Sequence, residues 1–192
     1  MTVESARGLA KDMLSDERFH HTECVAASAV KLARSHAEDI QKAGVAGYLH
    51  DIAKEFDKSD LLQMIERSDI IDVDEIRHCA PVWHAYGGGI YAKETLGVDD
   101  DISGAVMCHT TGRAGMTKLE KIIFLADYIS EDRDFGDMDD IRILAYEKLD
   151  LAVLMVIERQ ITHLVKHERY IDINMIRAYN DFLLTVAPTG EK

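Results

Sequence analysis

Six polar residues in this chain of 192 fall where helical spacing turns them inward: His21, His50, Asp51, His84, His109 and Asp127 lie on stripes that are otherwise apolar. Asp127 is the sharpest case, set inside Ile122-Ile-Phe-Leu-Ala-Asp-Tyr-Ile. A carboxylate buried there without a partner is costly, so something cationic must meet it. His50 and Asp51 stand side by side between Gly47-Tyr48-Leu49 and Ile52-Ala53. On a helix such neighbours point about 100° apart, so both reach one ion from a shared edge, and Lys54, one turn on from His50, lines the same mouth. Imidazole with carboxylate and no thiolate suits iron(II), manganese, cobalt or zinc. One histidine on an apolar stripe is more often a hydrogen-bonded core residue than a ligand; four of them with two inward aspartates reverse those odds. His20, His36, His78, His163 and His167 lack that setting and read as surface or helix-terminal residues.

The elements that must position these groups are all helical in pattern. Val3 to about Ser15 forms a short amphipathic helix, and Asp16 to Ala37 a longer one with His21, Val25, Ala29 and Leu32 inward. Asp39 caps a third helix that runs to Phe56 and carries Ala43, Gly47, His50 and Lys54 on one close-packing stripe. Short helices follow at 60–67 and 74–79, and Pro81 interrupts the chain. Val82 to Leu96 holds Gly87, Gly88 and Gly89, each costing on the order of 1 kcal/mol in a helix interior, which means either close backbone packing or a break. Ile102 to His109 is helical, and Thr117-Lys-Leu-Glu120 is a capping box for the next helix. Asp137 to Asp140 offer caps for one long segment, Ile141 to about His167, and a helix from about Asn174 to Val186 ends the pattern. The expectation is an all-α single domain of nine or ten helices.

Composition removes several function classes. Lys and Arg number 22 against 35 Asp and Glu, a net charge of −13, the wrong sign for neutralising nucleic-acid phosphates. Cys24, Cys79 and Cys108 are odd in number and form no C-x-x-C pair, so a disulfide framework and a thiolate zinc site both fail. The opening Met1-Thr-Val-Glu-Ser has no apolar core of a signal peptide, and no stretch approaches the roughly 20 apolar residues of a membrane span. A soluble cytoplasmic protein is expected, with a homodimer through an exposed apolar helix face left open.

Five ordered motifs carry a family resemblance: Arg18-x-x-His21; Leu49-His50-Asp51-Ile52-Ala53-Lys54; Trp83-His84-Ala85; His109-Thr110-Thr111-Gly112-x-x-x-Met116; and Ala126-Asp127-Tyr128-Ile129-x-x-x-Arg133. Over about residues 15–180 the chain resembles the HD-domain metal-dependent phosphohydrolases, and among them the YqeK-type symmetrical diadenosine tetraphosphate hydrolases of bacteria. The resemblance implies that His21, His50, Asp51 and Asp127 ligate a divalent metal, iron foremost. It leaves His84 and His109 either completing a second metal position or hydrogen-bonding substrate phosphates.

A polyphosphate bound by an acidic protein needs local positive charge that outweighs the global field. The metal, Lys54, Arg133 and the histidines supply it. Asp51, Lys54, His84 and His109 are the catalytic candidates, Asp51 orienting the attacking water. His21, Lys54, His84, His109, Thr110, Arg133 and Tyr170 are the substrate-facing candidates. Thr110 enters because it follows His109 at a helix end, and Tyr170 because the family places a late loop near the nucleotide. Arg133 has the alternative of pairing with Glu131 or Asp134. Arg113 and Lys118 read as surface charges, and Cys24 and Cys108 as small buried residues. The expected reaction is attack of water at the second phosphate from one adenosine, releasing two ADP. An HD-type nucleotidase or nucleoside triphosphate phosphohydrolase is the enzyme alternative. A nucleotide-sensing module is the non-enzyme one, disfavoured because the H…HD…D set is complete.

Overall fold

The computed structural model describes residues 1–68, 70–134, 136 and 138–186, and among these every regular element is helical. In chain order they are α1 (Val3–Met13), α2 (Asp16–Ser35), α3 (Ile40–Leu49), α4 (Lys58–Arg67), α5 (Val73–Ile76), a 3₁₀ turn (Ala80–Val82), α6 (Trp83–Glu94), α7 (Asp100–Cys108), α8 (Lys118–Ile129), α9 (Met138–Glu147), α10 (Leu149–Lys166) and α11 (Ile173–Val186). Among the described residues the expected nine or ten helices are eleven, because the expected Ile141–His167 segment is divided in two. None is long and apolar enough to cross a membrane.

The first revision concerns His50 and Asp51. The third helix does not run to Phe56; it ends at Leu49 with His50 as its cap residue. The chain continues in tight turns, with Ile52, Lys54 and Phe56 donating backbone N–H to the carbonyls of Leu49, Asp51 and Ala53. The apolar pattern survives because Ile52 and Ala53 stay buried, so hydrophobic spacing alone did not reveal the end of the helix. The second revision is at Lys148, whose non-helical backbone splits the expected Ile141–His167 segment into α9 and α10. Asp139 and Asp140 lie in the first turn of α9, while Asp137 lies outside the described residues.

Caps elsewhere follow the sequence. Asp39 accepts from the N–H groups of Gln41 and Lys42, and Asp99 from that of Ile102. Thr117 and Glu120 close the reciprocal capping box of α8 at 3.3 and 2.8 Å. From that start α8 passes through the core, with Ile122, Ile123, Phe124 and Leu125 buried, and packs on α2, α7 and α10.

Glycine sets the spacing of the helices that carry the polar cluster. A Cβ on Gly47 would lie 2.7 Å from Cα of Ala26, so α3 meets α2 backbone to backbone. The three successive glycines of α6 are continuous helix, which resolves the alternative in favour of close packing. A Cβ on Gly89 would lie 2.9 Å from the Ser103 carbonyl oxygen of α7, and Ser103 Oγ donates to the Gly89 carbonyl at 2.9 Å. These contacts repay the helix-propensity cost of glycine. Gly47→Ala should therefore push α3 from α2 and cost about 2 kcal/mol, the usual scale of overpacking. Thermal denaturation monitored by circular dichroism would read this as a midpoint lowered by several degrees; an unchanged midpoint would contradict the close approach.

Candidate metal centre

Helix ends and turns, more than helix interiors, deliver the polar cluster. His21 comes from the second turn of α2 and His50 from the end of α3. Asp51 and Lys54 sit on the turn that follows, and His84 at the start of α6. His109 caps the end of α7, and Asp127 projects from α8. The four imidazoles form a row: ring centroids are separated by 5.3 Å from His21 to His50, 5.1 Å from His50 to His109 and 5.2 Å from His109 to His84. The six polar residues expected to share a site are brought together.

Backbone carbonyls fix which nitrogen of each ring faces the centre. His50 Nδ1 lies 2.8 Å from Gly47 O, His84 Nδ1 2.8 Å from Pro81 O, and His109 Nδ1 2.7 Å from Val106 O. A carbonyl only accepts, so each Nδ1 carries the proton and each Nε2 presents a lone pair inward. His21 is oriented by a carboxylate instead, with Nδ1 2.7 Å from Asp132 Oδ2 and Nε2 3.0 Å from Asp127 Oδ1.

The inward lone pairs meet carboxylate oxygens. His50 Nε2 is buried without a hydrogen-bond partner, 3.8 Å from Asp51 Oδ2 and 3.9 Å from Asp127 Oδ1. Asp51 Oδ1 lies 3.1 Å from His84 Nε2 and 3.5 Å from His109 Nε2. Lys54 Nζ already bridges His84 Nε2 and Asp51 Oδ1, whereas His50 Nε2 faces two carboxylate oxygens with no donor, an arrangement that a cation between them would satisfy. Two sets of ligand atoms lie within 4.8 Å of one another and could hold an ion: His21, His50 and Asp127, and His50, Asp51 and His109. They share His50.

Protonation preferences agree. Burial pushes His50 down to about 4, against the opposing pull of Asp51 and Asp127, so its ring is neutral near pH 7. Burial also lowers His84. For His21, burial is outweighed by the hydrogen bonds to Asp127 and Asp132, and its affinity for a proton rises. Burial would raise both carboxyls, yet Asp51 and Asp127 lie below the usual carboxylate range, Asp127 chiefly through its hydrogen bond from His21.

Three cationic side chains ring the opening. Lys54 Nζ is 2.9 Å from His84 Nε2 and 3.4 Å from Asp51 Oδ1. Arg133 Nη2 is 3.0 Å from Asp127 Oδ1, so neither Glu131 nor Asp134 is needed to account for its position. Arg18 Nη1 is 3.7 Å from Asp51 Oδ2. Thr110 Oγ1 is buried with no hydrogen-bond partner. Tyr170 is not brought to the cluster by any of its contacts: it is 47% exposed, its hydroxyl donates to Glu75 O and its ring packs near that of His78. Arg113 proves to be an inward partner of the buried Glu120, at 2.9 Å, while Lys118 donates to the backbone of His36.

Sequence reasoning missed Asp132, Arg142 and Asp172. Arg142 of α9 donates to the carbonyls of Ile129, Ser130 and Arg133, pinning the loop that carries Asp132 and Arg133. Asp172 is buried, takes the Tyr86 hydroxyl at 3.1 Å, and braces the base of α11 against α6. Asp132 meets His21 across 111 positions of chain, which no local spacing records.

Comparison with known proteins follows the same residues. The HD domain model matches residues 18–132. The symmetrical bis(5'-nucleosyl)-tetraphosphatase of Halalkalibacterium halodurans is 37% identical over 96% of this chain and 98% of its own length. That of Bacillus subtilis is 35% identical over 94% and 97%. A crystal structure from Clostridium acetobutylicum, described as a predicted HD superfamily hydrolase involved in NAD metabolism, superposes with a TM-score of 0.91 at 32% identity, covering 96% of this chain and 98% of that one. The Arg18–Asp132 match begins and ends on groups at the mouth and wall of the imidazole row, and by it the chain belongs to the HD-domain family, in the branch that contains the symmetrical bis(5'-nucleosyl)-tetraphosphatases.

Proposed function

We propose that the protein is a metal-dependent phosphohydrolase that splits diadenosine tetraphosphate and related dinucleoside polyphosphates symmetrically into two nucleoside diphosphates. The observation that carries this is the orphaned, fully buried Nε2 of His50, aimed between two ionised carboxylates. Nearly full-length similarity to proteins named for that reaction supports the substrate.

The donor set fits a divalent ion, with His21, His50, Asp51 and Asp127 as ligands and His109 completing a second set around His50. Iron(II) is the metal that the family resemblance favours; the nitrogen and oxygen donors, with no thiolate in either set, suit manganese, cobalt and zinc as well. Bound there, such an ion polarises phosphoryl oxygen and lowers the pKa of water towards neutrality. We place the enzyme in the cytoplasm as a single HD domain, where its three free cysteines stay reduced.

The remaining steps belong to the side chains. Asp51, ionised at neutral pH, accepts a hydrogen bond from the attacking water and orients it towards the second phosphate from one adenosine. The new bond joins that phosphorus to the water oxygen, the water proton passes by way of the Asp51 carboxylate to solvent, and the bridging oxygen leaves with the other ADP. Lys54 and Arg133 donate to non-bridging oxygens on either side of the breaking bond, and charge that develops there is neutralised without solvent reorganisation. His84 and His109, whose inward Nε2 atoms carry lone pairs, would face the phosphates through a bound cation, and the Thr110 hydroxyl, buried without a partner, donates to a phosphate oxygen. His21 orients the Asp127 side of the centre, and Tyr170 with His78 borders one base.

Removal of metal with EDTA should abolish turnover, and iron(II), manganese or cobalt should restore it; chromatography of the products should show ADP alone. Persistent turnover in EDTA contradicts the metal, and AMP with ATP contradicts symmetrical cleavage. A second test uses Asp132. Asp132→Asn keeps the shape of the side chain but weakens its hold on His21 Nδ1, and should lower metal affinity about 10–100-fold, as loss of outer-shell partners does. Metal titration followed by competition with a chelator reads this directly. Wild-type affinity in the variant would remove Asp132 from the site.

A further inference from the structure

The space beside Asp127 continues past the metal ligands. A cavity of about 530 Å³ is bordered by Asp127, Tyr128 and Arg133 on one side and by Arg159, Gln160 and His163 of α10 on the other. Arg159 and His163 also line an adjoining hollow of about 420 Å³ that reaches Lys166. Residues 159, 163 and 166 recur at intervals of four and three, so they share one face of α10 and span about 10 Å of helix. In a chain of net charge −13, this stripe sets Arg159, His163 and Lys166 beside Glu158, with Asp127 on the opposite wall. A basic track leading away from a phosphate-cleaving centre fits an anion with length.

Gln160 narrows the chemistry. Its Oε1 is buried with no hydrogen-bond partner, an acceptor awaiting a donor. Phosphate oxygens only accept, so a bare polyphosphate leaves it unsatisfied, whereas a nucleoside brings hydroxyl and amino donors.

We propose that the groove along α10 is the subsite for the second nucleoside diphosphate arm of the substrate, the half that departs across the cluster from Lys54 and His84. Arg159 continues the phosphate contacts begun by Arg133, Gln160 accepts a hydrogen bond from the nucleoside, and His163 borders the base. This deepens the hydrolase reading and rests on it.

The test is photolabelling of the full-length protein with an azido analogue of ADP, followed by peptide mapping. Label should fall within 155–166, with ADP competing better than pyrophosphate at equal concentration. Arg159→Gln should reduce that label about tenfold and raise KM for diadenosine tetraphosphate by a similar factor, the scale of one charge-assisted contact. Gln160→Leu should erase the advantage of ADP over pyrophosphate while leaving pyrophosphate competition intact. Label absent from α10, or unchanged in Arg159→Gln with an unchanged KM, overturns the subsite. If the parent labels α10 as described but does not cleave diadenosine tetraphosphate, the hydrolase reading fails and the nucleotide subsite stands.

Discussion

Everything at this centre depends on imidazole lone pairs aimed at carboxylate oxygens. Three backbone carbonyls impose it: Gly47, Pro81 and Val106 each take the Nδ1 proton of the histidine three positions later. A histidine in water is free to turn either nitrogen outward; these rings are not. With the donors spent on the backbone, the remaining nitrogens and the oxygens of Asp51 and Asp127 repel one another; Lys54 and Arg133 relieve this at the edges, and His50 at the middle is left without a donor. Such crowding is tolerable only where the surrounding helices cannot relax away from it.

The helices are held close by residues with almost no side chain. Gly47 lets α3 touch α2 at Ala26, which sets His50 beside His21. Gly88 lies against Val106 and near the His50 carbonyl, and Gly89 against Ser103, which brings α6 and α7 together so that His84 and His109 converge on Asp51. Larger residues would favour the helices individually and separate the ligands. Local helix propensity is surrendered here to the geometry of the centre, as functional sites often require.

Much of this was legible before any coordinates. Inward histidines and aspartates betrayed themselves because polar residues on an apolar stripe need a reason, and Asp127 inside an apolar run needed the strongest one. Thr117-x-x-Glu120 announced the start of α8 because capping is a local exchange of hydrogen bonds. The end of α3 escaped because Ile52 and Ala53 stay buried in the turns that follow, so burial continued where helix did not. Lys148 escaped for the opposite reason, being an ordinary helix former in a non-helical backbone conformation. Asp132 and Asp172 were silent because their partners, His21 and Tyr86, are distant in the chain and each aspartate looks like any loop acid.

The acidic character of the protein sharpens the way a polyanion must be handled. With a net charge of −13, the far field repels a tetraphosphate, so attraction has to come from a few cations at short range, where partial burial weakens screening. Those cations lie on both sides of the ligand cluster, Lys54 towards α6 and Arg133 towards α10. A substrate whose two halves are alike gains most from a centre with phosphate donors on either flank, because engaging both halves would set its middle bond at the ligand cluster between them. Cleavage in the middle is in that view a consequence of balanced grips on identical arms, and needs no chemical difference among the phosphoanhydride bonds.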